Sequence, residues 1–182
     1  GKRLQIFDFI RFCHNSNAFG LGSRKKGGIL IYDLDRRSIV KRFNLKCNAL
    51  AFSPDDKYLA GAGLLGKIRR WNLNSNLQFV TRYSITEKRW IDSYIAVEIS
   101  KNGELFAGGN QNRKINIFNI NNGKTHLIIK GHSAKVNTLA FSPDNNYLAS
   151  AGKDRKIHIW NVKDGQLVKT LINDKKLQSG IQ

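Results

Sequence analysis

The sequence predicts an all-β protein built from one repeated unit of four strands. Three observations predict this fold class. The chain contains internal copies of one pattern, each copy divides into short runs separated by turn residues, and no segment has an apolar 3.6-residue period long enough for a helix. With 182 residues, of which 41% are hydrophobic, the chain is long enough to bury a core.

The internal copies align without gaps over long stretches. NTLAFSPDNNYLA (137–149) matches NALAFSPDDKYLA (48–60), and the register continues until Trp160 falls on Trp71. LFAGGNQNRKINIFNINNG (105–123) matches the segment around Trp160 and places Phe118 at the same position. GGILIYDLD (27–35) is a more diverged copy. One unit therefore occurs four times.

The copies divide the whole chain, residues 1–182, into successive segments. They predict an outer strand of a preceding unit at 1–7, repeat 1 at 8–43, repeat 2 at 44–83, repeat 3 at 84–130, repeat 4 at 131–173 and the start of a further repeat at 174–182. Because the pattern breaks off at both ends, we expect four units of a longer protein. Self-association is the alternative if the chain is complete.

Each repeat divides into four strands, which repeat 4 shows most clearly. Its runs are VNTLAF, YLASAG, KIHIWNV and QLVKTL, separated by the turns SPDN, KDR and KDG. Pro143 presets φ in the first turn and Asp144 bonds the backbone two residues on, while Gly103, Gly123 and Gly165 supply positive φ. The inner runs are almost continuously apolar, which is typical of sheets covered on both faces.

The motifs of repeat 4 resemble the WD40 repeat. The resemblance rests on GH at 131–132, LAFSPD, LASAGKD and IWNV, with Asn161 where the family often has aspartate. It covers nearly the whole chain. It implies a β-propeller of about four blades, each a four-stranded antiparallel sheet, in an incomplete ring around a central channel. It also implies a non-catalytic scaffold that binds other proteins.

Three residues of repeat 4 have the side chains of a hydrolase triad. They are His132, Ser150 and Asp154, and Trp160 follows them. The resemblance implies a structural hydrogen-bond network instead, in which Asp154 orients His132 and the Ser150 hydroxyl bonds both the imidazole and the indole. A triad would need an exposed serine, and the hydrolase motif G-x-S-x-G is absent. No catalytic residue is predicted, and we expect that the protein is not an enzyme.

No cofactor or metal site is predicted either. His14, His126 and His158 are isolated in the sequence on predicted strands, where a histidine is more often packed or solvated than bound to a metal. The glycine-rich segment 20–28 opens no helix, so it lacks the context of a phosphate-binding loop.

The sequence also suggests environments for the carboxylates in turns and for Arg70. The turn carboxylates, including Asp55, Asp56 and Asp144, are expected to bond their own backbone. Arg70 stands where the other repeats have isoleucine. We expect it to reach water, with recognition of a ligand as the alternative.

The chain is strongly basic, with 31 Lys and Arg against 13 Asp and Glu and a formal net charge of +18. This charge predicts attraction to other proteins with acidic surfaces or, alternatively, to nucleic acid or another polyanion through sequence-independent electrostatics. The resemblance places two sets of loops on one face, whose cations form a candidate partner-binding face. They are Arg24, Lys25, Lys26, Lys88, Arg89, Arg113, Lys114, Lys130, Lys135, Lys153, Arg155 and Lys156.

That face has a simpler interpretation, in which solvated turn residues keep the protein soluble. No aromatic residues interleave with the cations, which argues against base stacking. No run approaches the ~18 apolar residues of a membrane span, so no membrane is expected as a partner. Two cysteines without zinc or disulfide spacing favour a reducing compartment, so a cytoplasmic, intracellular location is expected.

Overall fold

The computed structural model describes residues 7–24, 28–44, 46–63, 67–74, 78–82 and 93–172. In this part of the chain the secondary structure consists of sixteen β-strands, and none of its elements is a helix that could cross a membrane. The strands are β1 (Phe9–Phe12), β2 (Ala18–Gly22), β3 (Ile29–Asp33), β4 (Ser38–Phe43), β5 (Cys47–Phe52), β6 (Tyr58–Gly63), β7 (Lys67–Asn72), β8 (Gln78–Arg82), β9 (Tyr94–Ile99), β10 (Leu105–Asn110), β11 (Lys114–Asn119), β12 (Thr125–Lys130), β13 (Val136–Phe141), β14 (Tyr147–Gly152), β15 (Lys156–Asn161) and β16 (Leu167–Ile172). The strand predicted at 1–7, apart from Phe7, and the further repeat predicted at 174–182 lie outside the described residues.

The strands form four antiparallel sheets in sequence order. We call them blade 1 (β1–β4), blade 2 (β5–β8), blade 3 (β9–β12) and blade 4 (β13–β16). This arrangement confirms the predicted all-β class of four-stranded blades. The turns carry the glycines that the sequence predicts at positive φ, with φ of 72° at Gly103, 69° at Gly123 and 74° at Gly165.

The core lies between consecutive blades. β1 packs beside β5, β5 beside β9 and β9 beside β13, so the first strands of the four blades are neighbours. One apolar cluster fills each contact between blades. The aromatic residue of the third strand, Trp71, Phe118 or Trp160, belongs in each case to the cluster against the preceding blade. Blade-to-blade packing is thus the main apolar contact of the fold.

The antiparallel order gives every blade two different ends. We call one the upper end; it carries the connections from second to third strand and from fourth strand to the next blade, including 111–113, 131–135 and 153–155. The lower end carries the other turns, including 53–57, 120–124 and 162–166. The described cations among those predicted for one face therefore belong to the upper end.

Arg70 is buried, which corrects the expectation that it reaches water. Arg70 is 2% exposed, and its guanidinium carbon lies 4.6 Å from the centre of the Tyr58 ring. Nη2 donates to the carbonyl oxygen of Asn121 in blade 3 at 3.1 Å. Burying a cation is costly unless it is bonded and stacked in this way. Arg70 therefore ties blade 2 to blade 3.

Asp56 bonds a different blade, which corrects the expectation that it serves its own turn. Its carboxylate accepts hydrogen bonds from the backbone N–H groups of residues 14–16 in blade 1, at 2.8, 2.8 and 2.9 Å. Asp55 and Asp144 do bond the backbone two residues on, each at 3.1 Å. The turn of blade 2 therefore anchors the first turn of blade 1.

Candidate functional site

Four side chains of blade 4 form a continuous hydrogen-bonded network. Trp160 Nε1 donates to Ser150 Oγ at 2.7 Å, Ser150 Oγ lies 2.7 Å from His132 Nε2, and His132 Nδ1 lies 2.9 Å from Asp154 Oδ2. Ser150 is 1% exposed, so its hydroxyl has no open side from which a substrate could approach. The network therefore links four segments of blade 4: the loop before β13, strand β14, the turn after β14 and strand β15.

The network fixes the hydrogens on its members. Because the indole N–H donates to Ser150, the hydroxyl hydrogen is free to point at His132 Nε2, and His132 Nδ1–H then donates to Asp154. Burial raises the pKa of Asp154, but hydrogen bonds from His132 and from the backbone N–H groups of Ser133 and Lys156 outweigh it and hold the pKa at about 2. Asp154 is therefore ionised at neutral pH.

Blades 2 and 3 replace this network by packing. At the position of Ser150 they carry Gly61 and Gly108. A Cβ on Gly61 would lie 3.0 Å from the Trp71 ring, and one on Gly108 would lie 2.7 Å from side-chain atoms of Ile68 and Tyr94. The aromatic and aliphatic groups thus occupy the space that the serine takes in blade 4.

His158 is packed, which is one of the two environments that the sequence predicts for it, and its neighbours belong to the network. Its ring centre lies 4.4 Å from that of His132 and 5.2 Å from that of Trp160. His158 is 4% exposed, and its Nδ1 lies 2.8 Å from Thr170 Oγ1. Burial and the nearby His132 lower the pKa of His158. The alternation of β15 puts His158 and Trp160 on one face, a signal that could have pointed to this contact.

The structure brings the described cations of the predicted face to the upper end. Arg24, Arg113, Lys130, Lys135, Lys153 and Arg155 are exposed, and Lys114 and Lys156 are half-buried. Lys25, Lys26, Lys88 and Arg89 lie outside the described residues. Sequence reasoning missed Lys46, which is exposed in the connection from blade 1 to blade 2. None of these described side chains forms an ion pair with a described carboxylate.

Carboxylates concentrate at the lower end instead. There the described ones are Asp33, Asp35, Asp55, Asp56, Glu104, Asp144 and Asp164. Two lower-end cations form ion pairs there: Lys57 Nζ lies 3.2 Å from Asp55 and Arg36 Nε lies 4.0 Å from Asp33. Of the described upper-end carboxylates, Asp8 accepts from the backbone N–H of Arg24 at 2.7 Å and Asp154 is engaged in the network. The upper end therefore presents positive charge with few counter-charges.

Exposed aromatic rings are absent from the described part of the upper end. The exposed aromatic side chains in the described residues are Phe12, at the end of β1, and Tyr147, at the start of β14. Both positions belong to the lower end. The described upper end thus offers charge without stacking platforms.

A pocket of about 250 Å³ lies along the first strands of the blades. Its polar lining includes Arg11, Arg24, Asn48, Glu98 and Asn137. Burial raises the pKa of Glu98, although the nearby cations Lys101 and Arg11 oppose the rise. Cations, a carboxylate and amides face the same space, so the lining favours no single class of ligand.

A comparison with protein families matches two stretches of the chain. A family model described as "WD domain, G-beta repeat" matches residues 39–72 and 123–161. Each match begins at the fourth strand of one blade or just before it and ends with the third strand of the next blade. The repeat of the family therefore spans two neighbouring blades here.

Individual relatives are similar over part of their length. The chain is 29% identical over 143 residues to "WD repeat-containing protein SL1-17" of Schistosoma mansoni, covering 77% of this chain and 46% of the relative. It is 27% identical over 124 residues to "Meiotic recombination protein rec14" of Schizosaccharomyces pombe, covering 68% and 39%. It is 32% identical over 63 residues to "Small ribosomal subunit protein RACK1y" of Oryza sativa subsp. japonica, covering 35% and 19%. The chain thus spans less than half the length of these curated relatives.

Proposed function

Because this chain carries WD40 repeats folded into four-stranded blades, we propose that it acts as a non-catalytic scaffold that binds other proteins through its upper end. The observation that carries the proposal is the uneven distribution of carboxylates: the described lower end mixes cations with carboxylates, whereas the described upper end has cations with few carboxylates. Solubility alone requires charged turns but not such an excess of one sign at one end. A surface of one sign attracts partners of the other and orients them. The partner is a protein with an acidic surface.

The buried network supports the non-catalytic part of the proposal. Ser150 has the residue type of a nucleophile, but its hydroxyl is bonded on both sides and closed to solvent. A nucleophile needs an open approach for the substrate beside its base. The Ser150 hydroxyl therefore serves the framework of blade 4.

Electrostatic binding of nucleic acid is the second candidate, and the net charge of +18 favours it. Sequence-independent binding of single strands relies on aromatic stacking in addition to charge. The described upper end has no exposed ring to supply stacking. We therefore rank an acidic protein above single-stranded nucleic acid, and the binding test below separates an acidic protein from a duplex, which needs no stacking.

The proposal also places the protein inside the cell. Cys13 and Cys47 are both free thiols, and burial raises the pKa of Cys47 to about 12. Unpaired cysteines of this kind suit a reducing compartment.

Two triple variants with equal net charge test the proposal. Arg113→Glu/Lys153→Glu/Arg155→Glu reverses the upper end, and Arg37→Glu/Lys124→Glu/Lys163→Glu reverses exposed cations of the lower end. Both sets include arginines at positive φ: 68° at Arg113 and 63° at Arg155 in the upper set, and 49° at Arg37 in the lower set. Binding is measured for poly-L-glutamate, as the acidic polypeptide probe, and for a DNA duplex, at two salt concentrations.

The proposal predicts that the upper-end variant binds poly-L-glutamate about tenfold or more weakly, while the lower-end variant changes by less than about threefold. Duplex binding should be weak and should fall steeply with salt. Equal losses in both variants would mean that net charge, not the upper end, drives binding. A duplex affinity above that for the polypeptide would favour the second candidate.

A further inference from the structure

One ring nitrogen of His158, Nε2, is buried without a hydrogen-bond partner among the described residues. His158 Nδ1 is engaged by Thr170 Oγ1, while no described atom offers Nε2 a hydrogen bond. When Nδ1 donates its hydrogen to Thr170, Nε2 carries a lone pair in a residue that is 4% exposed. An unsatisfied polar atom in such a place is costly, and native proteins rarely keep one without an ion, a water or a chemical role.

Two other potential metal ligands lie close to the His158 side chain. One potential ligand atom from each of His132, Asp154 and His158 lies within 4.8 Å of the other two. Ligands around tetrahedral zinc, with bonds of about 2.0–2.1 Å, stand roughly 3.4 Å apart. His132 Nδ1 and Asp154 Oδ2 are already 2.9 Å apart. His158 must close by little more than about 1 Å, which a side-chain rotation supplies.

We propose that blade 4 binds one divalent transition-metal ion, with the preferences of Zn²⁺, between His132, Asp154 and His158. The ion takes the place of the hydrogen on His132 Nδ1, and that hydrogen moves by way of solvent to Nε2, so the imidazole stays neutral and releases no net proton. His132 Nε2–H then donates to Ser150 Oγ, which still accepts from Trp160, and the Ser150 hydroxyl hydrogen turns away from the imidazole. Water completes the coordination as the fourth ligand.

Each of the three ligands has a further contact that limits its orientation. Thr170 orients the His158 ring, and the backbone N–H groups of Ser133 and Lys156 donate to Asp154 at 2.9 and 3.3 Å. Such outer contacts are typical of metal sites, where they fix ring orientation and carboxylate geometry. The hydrogen bonds among His132, Ser150, Asp154 and Trp160 do not involve His158. His158 is therefore a potential ligand that the network does not already use.

The aligned position in blade 3 provides a comparison. Asn116 stands where blade 4 has His158, and it is also buried without a described hydrogen-bond partner. Its neighbours at the positions of Ser150 and Asp154 are Gly108 and Asn112, which supply no imidazole or carboxylate. A buried water suits that site. Water is therefore the competing occupant at His158.

The cations near the proposed site predict how metal binding should depend on salt. Lys135, Lys153, Arg155 and Lys156 lie on the loops and strand ends around the site. Their positive potential opposes a cation, and salt screens it. Metal binding at this site should therefore strengthen as salt is raised. Metal held by the exposed carboxylates of the lower end would weaken instead.

The test uses metal-free protein titrated with Zn²⁺ and with Co²⁺. His158→Asn removes one ligand and introduces the residue that blade 3 tolerates at this position, while His126→Gln removes an exposed histidine of β12 as the matched control. Calorimetry measures affinity and stoichiometry, and thermal unfolding checks that each variant folds. The Co²⁺ absorption spectrum reports tetrahedral coordination.

We expect one Zn²⁺ per chain and a tetrahedral Co²⁺ spectrum. His158→Asn should weaken Zn²⁺ binding by more than about tenfold, and His126→Gln should not. Absence of saturable one-to-one binding in the unsubstituted chain, or equal binding by folded His158→Asn, would overturn the proposal and assign water to His158. Binding that weakens with added salt would overturn it as well.

Discussion

Removing the Ser150 hydroxyl should destabilise blade 4 strongly, because two buried partners depend on it. Ser150→Ala leaves Trp160 Nε1–H without an acceptor and His132 Nε2 without a donor. Each buried group left unsatisfied costs about 1–3 kcal/mol. We therefore expect the free energy of unfolding to fall by about 2–6 kcal/mol. For a chain of 182 residues, each kcal/mol corresponds to about 2–4 °C in Tm.

Trp160→Phe provides the second arm of a double-mutant cycle. Alone it removes the indole donor and some apolar area, at a cost of about 1–3 kcal/mol. In Ser150→Ala/Trp160→Phe the unsatisfied indole no longer exists, so the double variant should cost about 1–2 kcal/mol less than the sum of the single variants. Blade 3 has a natural form of this pairing, with Gly108 beside Phe118.

Urea unfolding, with midpoint and slope fitted for each variant, measures these differences. Ser133→Ala is the control, because its exposed hydroxyl lies 3.5 Å from Asp154 and its loss should change stability by less than about 0.5 kcal/mol. Costs that add to within about 0.5 kcal/mol would refute a direct bond between Ser150 and Trp160. Loss of a hydrolase activity in Ser150→Ala, with unchanged stability, would refute the framework role itself.

Two further predictions concern carboxylates. The folded pKa of Asp154, about 2, lies below the unfolded value of 3.8, so its ionised form stabilises the fold above pH 3.8 and this contribution disappears as the pH falls towards 2. The difference in free energy of unfolding between the unsubstituted chain and Asp154→Asn, measured by urea titration, should therefore narrow from about pH 4 to pH 2. A difference that stays constant over this range would contradict a stabilising Asp154 carboxylate. Asp56→Gly keeps a residue suited to φ of 55° but removes the acceptor for residues 14–16, and should cost about 1–2 kcal/mol. The control Asp164→Asn replaces an exposed lower-end residue and should cost less than about 0.5 kcal/mol. Equal losses of stability in Asp56→Gly and Asp164→Asn would disprove that Asp56 anchors residues 14–16.

Local patterns were enough to predict the blades and their turns. The aligned copies locate the strands because each copy carries the same sequence of apolar run and turn residue, and both signals act within a few residues. Gly103, Gly123 and Gly165 have the predicted positive φ for the same local reason. The four members of the network come from the resemblance, which carries information about contacts that composition alone lacks.

Contacts between blades were not predictable in the same way. Asp56 reaches residues 14–16, about forty positions away in sequence, and Arg70 reaches Asn121 in the next blade. No periodicity specifies which side chain of one sheet faces which atom of its neighbour. His158 is the same case, because its contacts depend on the exact approach of its strand to the loop that carries His132.

The role of the upper end can be tested most directly by site-specific photo-cross-linking to the native partner. A photoreactive residue replaces Lys130 or Arg155 at the upper end and, in matched controls, Lys124 or Lys163 at the lower end; all four side chains are exposed. The account predicts one discrete protein adduct from both upper positions, sensitive to salt and absent from both lower positions. Adducts of the same protein from the lower positions alone would place the binding face at the other end and contradict the account.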